Sequence, residues 1–272
     1  MKSIKKIDFH VHITDPISIE QTVINYRDMC KRHNLEGVFL HALRVGGAYP
    51  HPTCNEDALR IKEQIHGSYA FASLNHDYDF VDQAKEYVSL GFDGIKLLEG
   101  KTSLYRHYGY SLENPRFKEF FEYAEKEQIP LLIHNNDPDY SWDITKATQR
   151  SIDMGWVYDE KIPSHEWFFK NIEEVLMRYQ NLRVALAHMG FFTKNLDRAQ
   201  RLMEMCPNLY MDMTPAMNIL EDLSINPSKT EAFFRKYHNR ILFGTDADND
   251  LTGEKRAYND DFDNALAPLQ YF

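Results

Sequence analysis

Cysteine is scarce in this sequence, and its spacing is unproductive. Cys30, Cys54 and Cys206 are odd in number, far apart and without a C-x-x-C pair. That excludes a disulfide framework and a cysteine-based zinc knot, and it reads as reduced thiols, none placed as a nucleophile. Long apolar runs are missing as well. No stretch approaches the ~20 residues of a membrane span. The opening MKSIKKID lacks the apolar core of a signal peptide, so the expectation is a soluble, cytoplasmic chain with no membrane partner. Positive charge is in deficit: 31 Lys and Arg face 41 Asp and Glu, a formal net charge of −10. With no basic stripe interleaved with aromatics, this argues against a nucleic-acid partner. Finally, no Gly-x-Gly-x-x-Gly follows any apolar run, which weakens a dinucleotide-binding reading.

What is present is material for a large core. A hydrophobic fraction of 43%, with 17 Phe and 16 Tyr among 272 residues, excludes disorder. Short β-branched or aromatic runs recur at 3–9, 37–42, 68–74, 93–98, 130–134, 182–187, 208–212 and 240–245. Segments with helical spacing lie between them at 17–34, 54–66, 79–90, 115–128, 165–180, 195–205 and 228–238, several opening on Ser, Asn or Asp. Eight strands alternating with helices over roughly 250 residues predict an α/β chain folded as a (β/α)8 TIM barrel. No linker or repeat interrupts it, so residues 1–272 are expected to form a single domain. The connection 135–164 is far longer than an ordinary barrel loop and carries Trp142 and Trp156. A loop of that kind at a catalytic rim is expected to cover the mouth and to supply an indole to an apolar wall.

Chemistry in such a barrel gathers at the C-terminal ends of the strands. In IDFHVHI, strand alternation puts Asp8, His10 and His12 on one face. Taken alone, His-x-His is as well explained by two unconnected, hydrogen-bonded histidines. The other strand ends add weight. Strand four carries Lys96, strand five ends in His134, strand six in His188 within AHMG, and strand eight in Asp246 within FGTDAD. Three imidazoles, a fourth nearby and a carboxylate on one rim suit a divalent ion with an activated water.

This set is similar to the amidohydrolase superfamily. The phrases IDFHVHI, GIKLL, NLRVALAHMG, NLYMDMT and RILFGTDAD resemble its amidohydrolase-related branch, which holds small-molecule hydrolases and nonoxidative decarboxylases such as aminocarboxymuconate-semialdehyde decarboxylase. The resemblance runs from Ile7 to Asp246. It implies His10, His12 and His134 as neutral metal ligands and Asp246 as the anionic one, with Asp246 also accepting a proton. His188 matches a histidine that binds a second metal or, where one ion is bound, polarises the substrate or moves a proton; a core histidine is the bland alternative. Lys96 admits three readings: a carbamylated bridge between two ions, an unmodified ammonium that binds substrate, or a buried partner of an acid such as Asp8. The branch favours one ion and an unmodified, substrate-binding Lys96. Zinc is the first expectation for the ion, although manganese, iron and cobalt suit the same ligands.

Outside that set the residues are placed by position only. Arg44, just past strand two, can present a guanidinium to a substrate carboxylate or can form a surface ion pair. Tyr49, Tyr105, Arg106, Asn135, Trp142 and Phe191 lie just beyond strand ends. Glu166 is read as favouring a helix N-terminus. The leading expectation is a metal-dependent hydrolase of an amide, lactone or ester bond in a small molecule. The closest rival is a nonoxidative decarboxylase of an aromatic or unsaturated carboxylic acid, which needs the same ligands. A metallophosphoesterase of the polymerase-and-histidinol-phosphatase type ranks well behind, because Asp248 stands where that family expects histidine. A binding module that had lost its chemistry is expected to lack some ligands, and none is missing. A homodimer is expected by analogy with other barrels alone.

Overall fold

The computed structural model describes residues 6–13, 17–43, 55–214 and 219–250. In chain order the elements are β1 (Lys6–Ile13), α1 (Ile19–His33), β2 (Leu35–Ala42), α2 (Asn55–Lys62), β3 (Tyr69–Ser73), α3 (Phe80–Leu90), β4 (Gly94–Gly100), α4 (Thr102–Tyr108) and α5 (Arg116–Lys126). There follow β5 (Leu131–Asn135), α6 (Gln149–Asp153), α7 (His165–Arg178), β6 (Val184–Leu186), α8 (Leu196–Met205), β7 (Leu209–Asp212), α9 (Ile219–Ser224), α10 (Pro227–Tyr237) and β8 (Ile241–Leu242). The eight strands form one sheet in the order β1 to β8, and the strand pairs with a defined register are parallel. The segment around β8 bonds back to β1: Phe9 N donates to Phe243 O at 2.8 Å and His12 N to Ala247 O at 2.7 Å. This is the (β/α)8 barrel expected from the spacing of the apolar runs. No described helix is long and apolar enough to cross a membrane.

By its contacts the chain divides into two compact units. The first comprises 1–96, 212–215 and 231–272. Here the half-buried Phe9 and Phe39 pack with the buried Phe71, ring centroids 4.8–6.1 Å apart. The helices here are bounded by residues suited to their ends. Ser18 accepts from Gln21 N at the start of α1, and Asn34 closes it with φ 53°. Asp79 accepts from Val81 N and Asp82 N at the start of α3. Strand β1 takes an extra residue against β2, since Asp8 pairs with Val38 while Val11 pairs with Leu40. Such bulges re-aim side chains and occur beside functional sites.

The second unit comprises 97–211 and 216–230. In α5, Phe117, Phe120, Phe121 and Ala124 are buried while Lys118, Glu119 and Glu122 face solvent, the apolar stripe that fixes an amphipathic helix to its core. Each buried phenylalanine contributes about 1.5–3 kcal/mol. After β6 the chain departs from regular structure. His188, Met189, Gly190 and Phe191 all adopt φ between 51° and 59°, a left-handed turn in which only one residue is glycine. L-residues pay for that conformation. Burial holds it: Met189 is 0% and Phe191 8% exposed. The connection 135–164 is not featureless, for it contains a single 3-10 turn (Asp139–Trp142) and α6. It is tied down by Arg106, which donates to Gly155 O at 2.8 Å and Val157 O at 2.7 Å.

Candidate metal centre

In the first unit, alternation along β1 brings the rings of His10 and His12 to one side, with their Nε2 atoms 3.0 Å apart. Asp246 reaches the same point: its Oδ1 lies 3.0 Å from His12 Nε2 and 3.5 Å from His10 Nε2. Its backbone is fixed there, with φ 60° and its N–H donating to His10 O at 2.8 Å. Among the described residues His10, His12 and Asp246 form a group whose ligand atoms all lie within 4.8 Å of one another.

The second ring nitrogens show which atoms are available. His10 Nδ1 lies 2.8 Å from Asp212 Oδ2 and 3.0 Å from Thr214 Oγ1. His12 Nδ1 lies 3.4 Å from the carbonyl of His41. When both Nδ1 atoms donate, both Nε2 atoms carry lone pairs, and these face each other beside a carboxylate oxygen. Such a donor set suits a cation. Ligands bound at 2.0–2.2 Å stand roughly 2.8–3.6 Å apart at ordinary coordination angles, and the observed separations of 3.0, 3.0 and 3.5 Å fall in that range. The residues fit a divalent ion. The carboxylate behind His10 is the kind of outer partner that orients a ligating imidazole.

Lys96 lies at this group. It is 1% exposed, and its Nζ stands 3.1 Å from His10 Nε2. The sequence also allowed a pairing with Asp8, whose carboxylate is committed to joining β1 to the β8 segment. Asp8 Oδ1 accepts from His10 N at 3.0 Å and Thr245 N at 3.1 Å, and Oδ2 accepts from the Thr245 hydroxyl at 2.6 Å. Burial pushes the Asp8 carboxyl up to about 7 against the pull of these donors.

Three residues with no assigned role in the sequence are part of this architecture. Asp212 was visible in NLYMDMT, Thr214 two residues on, and His41 in the second strand. His41 is fully buried, donates from Nε2 to Phe9 O at 2.7 Å, and packs its ring 5.1 Å from that of His10. Burial, reinforced by His10 and Lys96, holds its pKa well below the ordinary histidine value. The backbone also approaches closely at Gly244: a Cβ there would stand 2.8 Å from His10 Cβ and 3.4 Å from Thr214 Cγ2. Gly244→Ala is therefore expected to push His10 out of line and weaken metal binding about tenfold or more, as loss of an orienting contact does. An unchanged metal titration of a folded Gly244→Ala protein would contradict this.

In the second unit, His134 lies one residue before the end of β5 and His188 stands in the left-handed turn after β6. Their ring centroids are 4.8 Å apart, and Phe191 lies 5.9 Å from His134 and 5.5 Å from His188. Burial, then the nearby Lys101 ammonium, keeps the His134 pKa well below the ordinary value, so its imidazole is neutral, as a ligand requires. Asp137 lies beside it. Against the upward push of burial, the ammonium of Lys101 holds the Asp137 carboxyl well below the usual carboxylate range. The Lys101 Nζ is 2.6 Å from Asp137 Oδ1, and the Tyr158 hydroxyl donates to Oδ2 at 2.7 Å. Of Lys101, Asp137 and Tyr158 the sequence carries one local signal, a lysine immediately after the glycine that ends β4.

The remaining candidates separate by environment. Trp156 lies over the Lys101 ammonium at 4.7 Å. Trp142 instead packs on Tyr158 at 4.9 Å and His165 at 5.0 Å, its indole N–H donating to Pro163 O. Tyr105 packs on Trp167 and Phe168. Asn135 is buried, with no hydrogen-bond partner for its Nδ2 among the described residues. Glu166 pairs with Arg198 at 2.8 Å. Arg44 and Tyr49 lie outside the described residues.

Comparison with known proteins identifies the family. The family model described as Amidohydrolase matches residues 7–270. No curated protein sequence matches the chain. Among solved structures it is similar to 2,6-dihydroxybenzoate decarboxylase from Rhizobium, with 15% identity, 97% of this chain and 93% of that one covered, and a TM-score of 0.58. It is similar to dihydroorotase from Campylobacter jejuni, with 19% identity, coverage of 89% and 69%, and a TM-score of 0.54. A dihydroxybenzoic acid decarboxylase from Polaromonas sp. JS666, with bound manganese and the inhibitor 2-nitroresorcinol, matches at 15% identity, coverage of 98% and 99%, and a TM-score of 0.53. At these identities the structural likeness carries the fold alone. The family match spans nearly the whole sequence, and by it this chain is an enzyme of the amidohydrolase family.

Proposed function

We propose that this enzyme is a metal-dependent hydrolase of a small molecule, cleaving an amide, lactone or ester bond with a metal-activated water. The observation that carries the reading is the meeting of His10 Nε2, His12 Nε2 and Asp246 Oδ1 at 3.0–3.5 Å, with both Nδ1 atoms turned to acceptors. His10, His12 and Asp246 hold the ion in this reading, and the family pattern adds His134. Zinc is the first choice, and the manganese in the Polaromonas structure supports a divalent ion of this kind. When bound, the ion supplies Lewis acidity and makes a water acidic near neutral pH.

The chain's own groups do the rest. The carboxylate of Asp246, 35% exposed at its side chain while the histidines are nearly closed off, is the proton acceptor. His188 is the second proton-handling group, held by the left-handed turn. The buried ammonium of Lys96 beside His10 polarises or anchors the substrate. Arg44 retains the role of a substrate-binding guanidinium on its sequence position.

The same residues serve a carboxy-lyase, because an ammonium beside the ligands can hold an acid group while Asp246 or His188 handles the proton. One experiment separates the two. Zinc- or manganese-loaded protein is incubated with panels of lactones, amides and esters, and separately with aromatic and unsaturated carboxylic acids. Acid release from the first panel supports the hydrolase. Carbon dioxide from the second, with the first inert, replaces it by the lyase. Protein that takes up no metal removes both.

A further inference from the structure

One buried histidine of the first unit, His41, has no part in the reading above. It lies on β2 against apolar rings, with the Phe71 centroid 4.9 Å away and that of Phe9 5.9 Å. Its Nδ1 is buried with no hydrogen-bond partner among the described residues. An acceptor left unsatisfied in a core is costly, and an idle residue at this place would be apolar like its neighbours. The other ring nitrogen is the one in use: Nε2 donates to Phe9 O at 2.7 Å.

Phe9 belongs to the bulge in β1. Asp8 pairs with Val38 and Val11 with Leu40, so Phe9 and His10 together stand opposite Phe39 alone. In a regular strand neighbouring side chains point to opposite faces. Here the rings of both Phe9 and His10 pack on His41, at 5.9 and 5.1 Å, so the extra residue has re-aimed the chain. A bulge disrupts the ladder locally, and a buried carbonyl needs a donor. His41 Nε2 supplies it. The Phe9 carbonyl and the His10 N–H are the two ends of one rigid peptide plane. Its oxygen is held by His41, and its N–H donates to Asp8 Oδ1 at 3.0 Å. The His10 side chain is carried on that plane, so fixing the plane fixes where the ring can reach.

We infer that His41 is a positioning residue for the metal centre: its Nε2–H holds the Phe9–His10 peptide in the bulged orientation that brings His10 Nε2 to His12 and Asp246. The inference rests on those three residues holding the ion. The His41 carbonyl, 3.4 Å from His12 Nδ1, is a second hold on the same pair, and one that survives replacement of the side chain.

Substitutions at His41 separate the atoms of the ring. Glutamine can bring an amide NH2 near the position of Nε2, asparagine reaches only to that of Nδ1, and phenylalanine fills the space with no donor. Zinc affinity is read by titration against a competing chelator, ligand geometry by the visible spectrum of the cobalt-loaded protein, and the fold and melting temperature of the metal-free protein by circular dichroism. His41→Phe is expected to melt close to the parent, to bind zinc about tenfold or more weakly, as loss of an outer partner does, and to change the cobalt bands. His41→Asn should behave alike. His41→Gln is expected to regain most of the affinity and the parent's cobalt spectrum, a rescue that a space-filling role would not produce. Should His41→Phe not fold, the comparison of the glutamine and asparagine variants decides. Parent-like zinc affinity and cobalt bands in a folded His41→Phe protein overturn the inference. So does rescue by asparagine and not by glutamine, which gives the task to Nδ1, or failure of both His41→Phe and His41→Asn to fold, which marks a residue needed by the barrel as a whole. A parent that takes up no zinc fails the functional reading and this inference with it, whereas zinc uptake indifferent to His41 fails only this one.

Discussion

In a His10→Ala or His12→Ala protein, bound metal and turnover are expected to fall together, while His188→Ala loses turnover and keeps its metal. The two β1 imidazoles meet Asp246 Oδ1 at 3.0–3.5 Å, and replacing either takes away one of the three donors that meet there. The drop in affinity should exceed the roughly 10–100-fold that follows loss of an outer partner. His188 belongs to the turn after β6 and is read as a proton-handling group, so its loss costs roughly 10²–10⁴-fold in kcat at full occupancy. Asp246→Asn lies between. Its amide oxygen coordinates weakly, but the side chain has no charge and accepts no proton, so kcat falls by a similar roughly 10²–10⁴-fold at partial occupancy. Metal analysis and kinetics on the same preparations check all four. A His188→Ala protein lacking half its metal would put His188 among the ligands and reopen a two-ion site with carbamylated Lys96. Full activity in Asp246→Asn would move the proton acceptor elsewhere.

Asp212 gives the second large effect. Its carboxylate is fully buried and divided between two tasks: Oδ2 meets His10 Nδ1 at 2.8 Å, while Oδ1 accepts from Thr214 N at 3.1 Å and from the Thr214 hydroxyl. Asparagine offers one oxygen for these two tasks. Whichever way the amide turns, its NH2 faces a donor, either the His10 ring N–H or the Thr214 N–H. Asp212→Asn is therefore expected to weaken metal binding by roughly 10–100-fold, and Asp212→Ala by at least as much. Titration against a competing chelator reads the affinity, and circular dichroism shows whether the barrel survives. Unchanged affinity in a folded Asp212→Ala protein would mean that Thr214 alone orients His10.

The extent to which these features were legible in the sequence follows from the range of the signal. Strand and helix positions came from local period, and the eight apolar runs fall on the eight strands within a few residues, although β1 continues to Ile13 and so carries His10 and His12 within it. His10 and His12 were legible because alternation is a local rule. Asp212 was not, because nothing near NLYMDMT reveals that its carboxylate meets a ring 202 residues away. Lys101 stood where the strand period had already ended, and its partner Asp137 is 36 residues on. The bulge in β1 and the left-handed turn left no mark either: three of the four residues with φ of 51–59° after β6 are not glycine, and tertiary packing imposes the conformation.

The seam between β1 and the β8 segment bears on how the enzyme is made. Asp8 and Thr245 are 237 residues apart, yet their hydrogen bonds, with those of Asp246 and Ala247 to β1, bring the carboxylate to the two imidazoles. His10 and His12 are translated well before their partner Asp246. Contacts of such long sequence separation are slow to form in folding, so a chain that has not reached Asp246 cannot assemble this centre. In the proposed reading, metal uptake thus reports the joining of the β8 segment to β1.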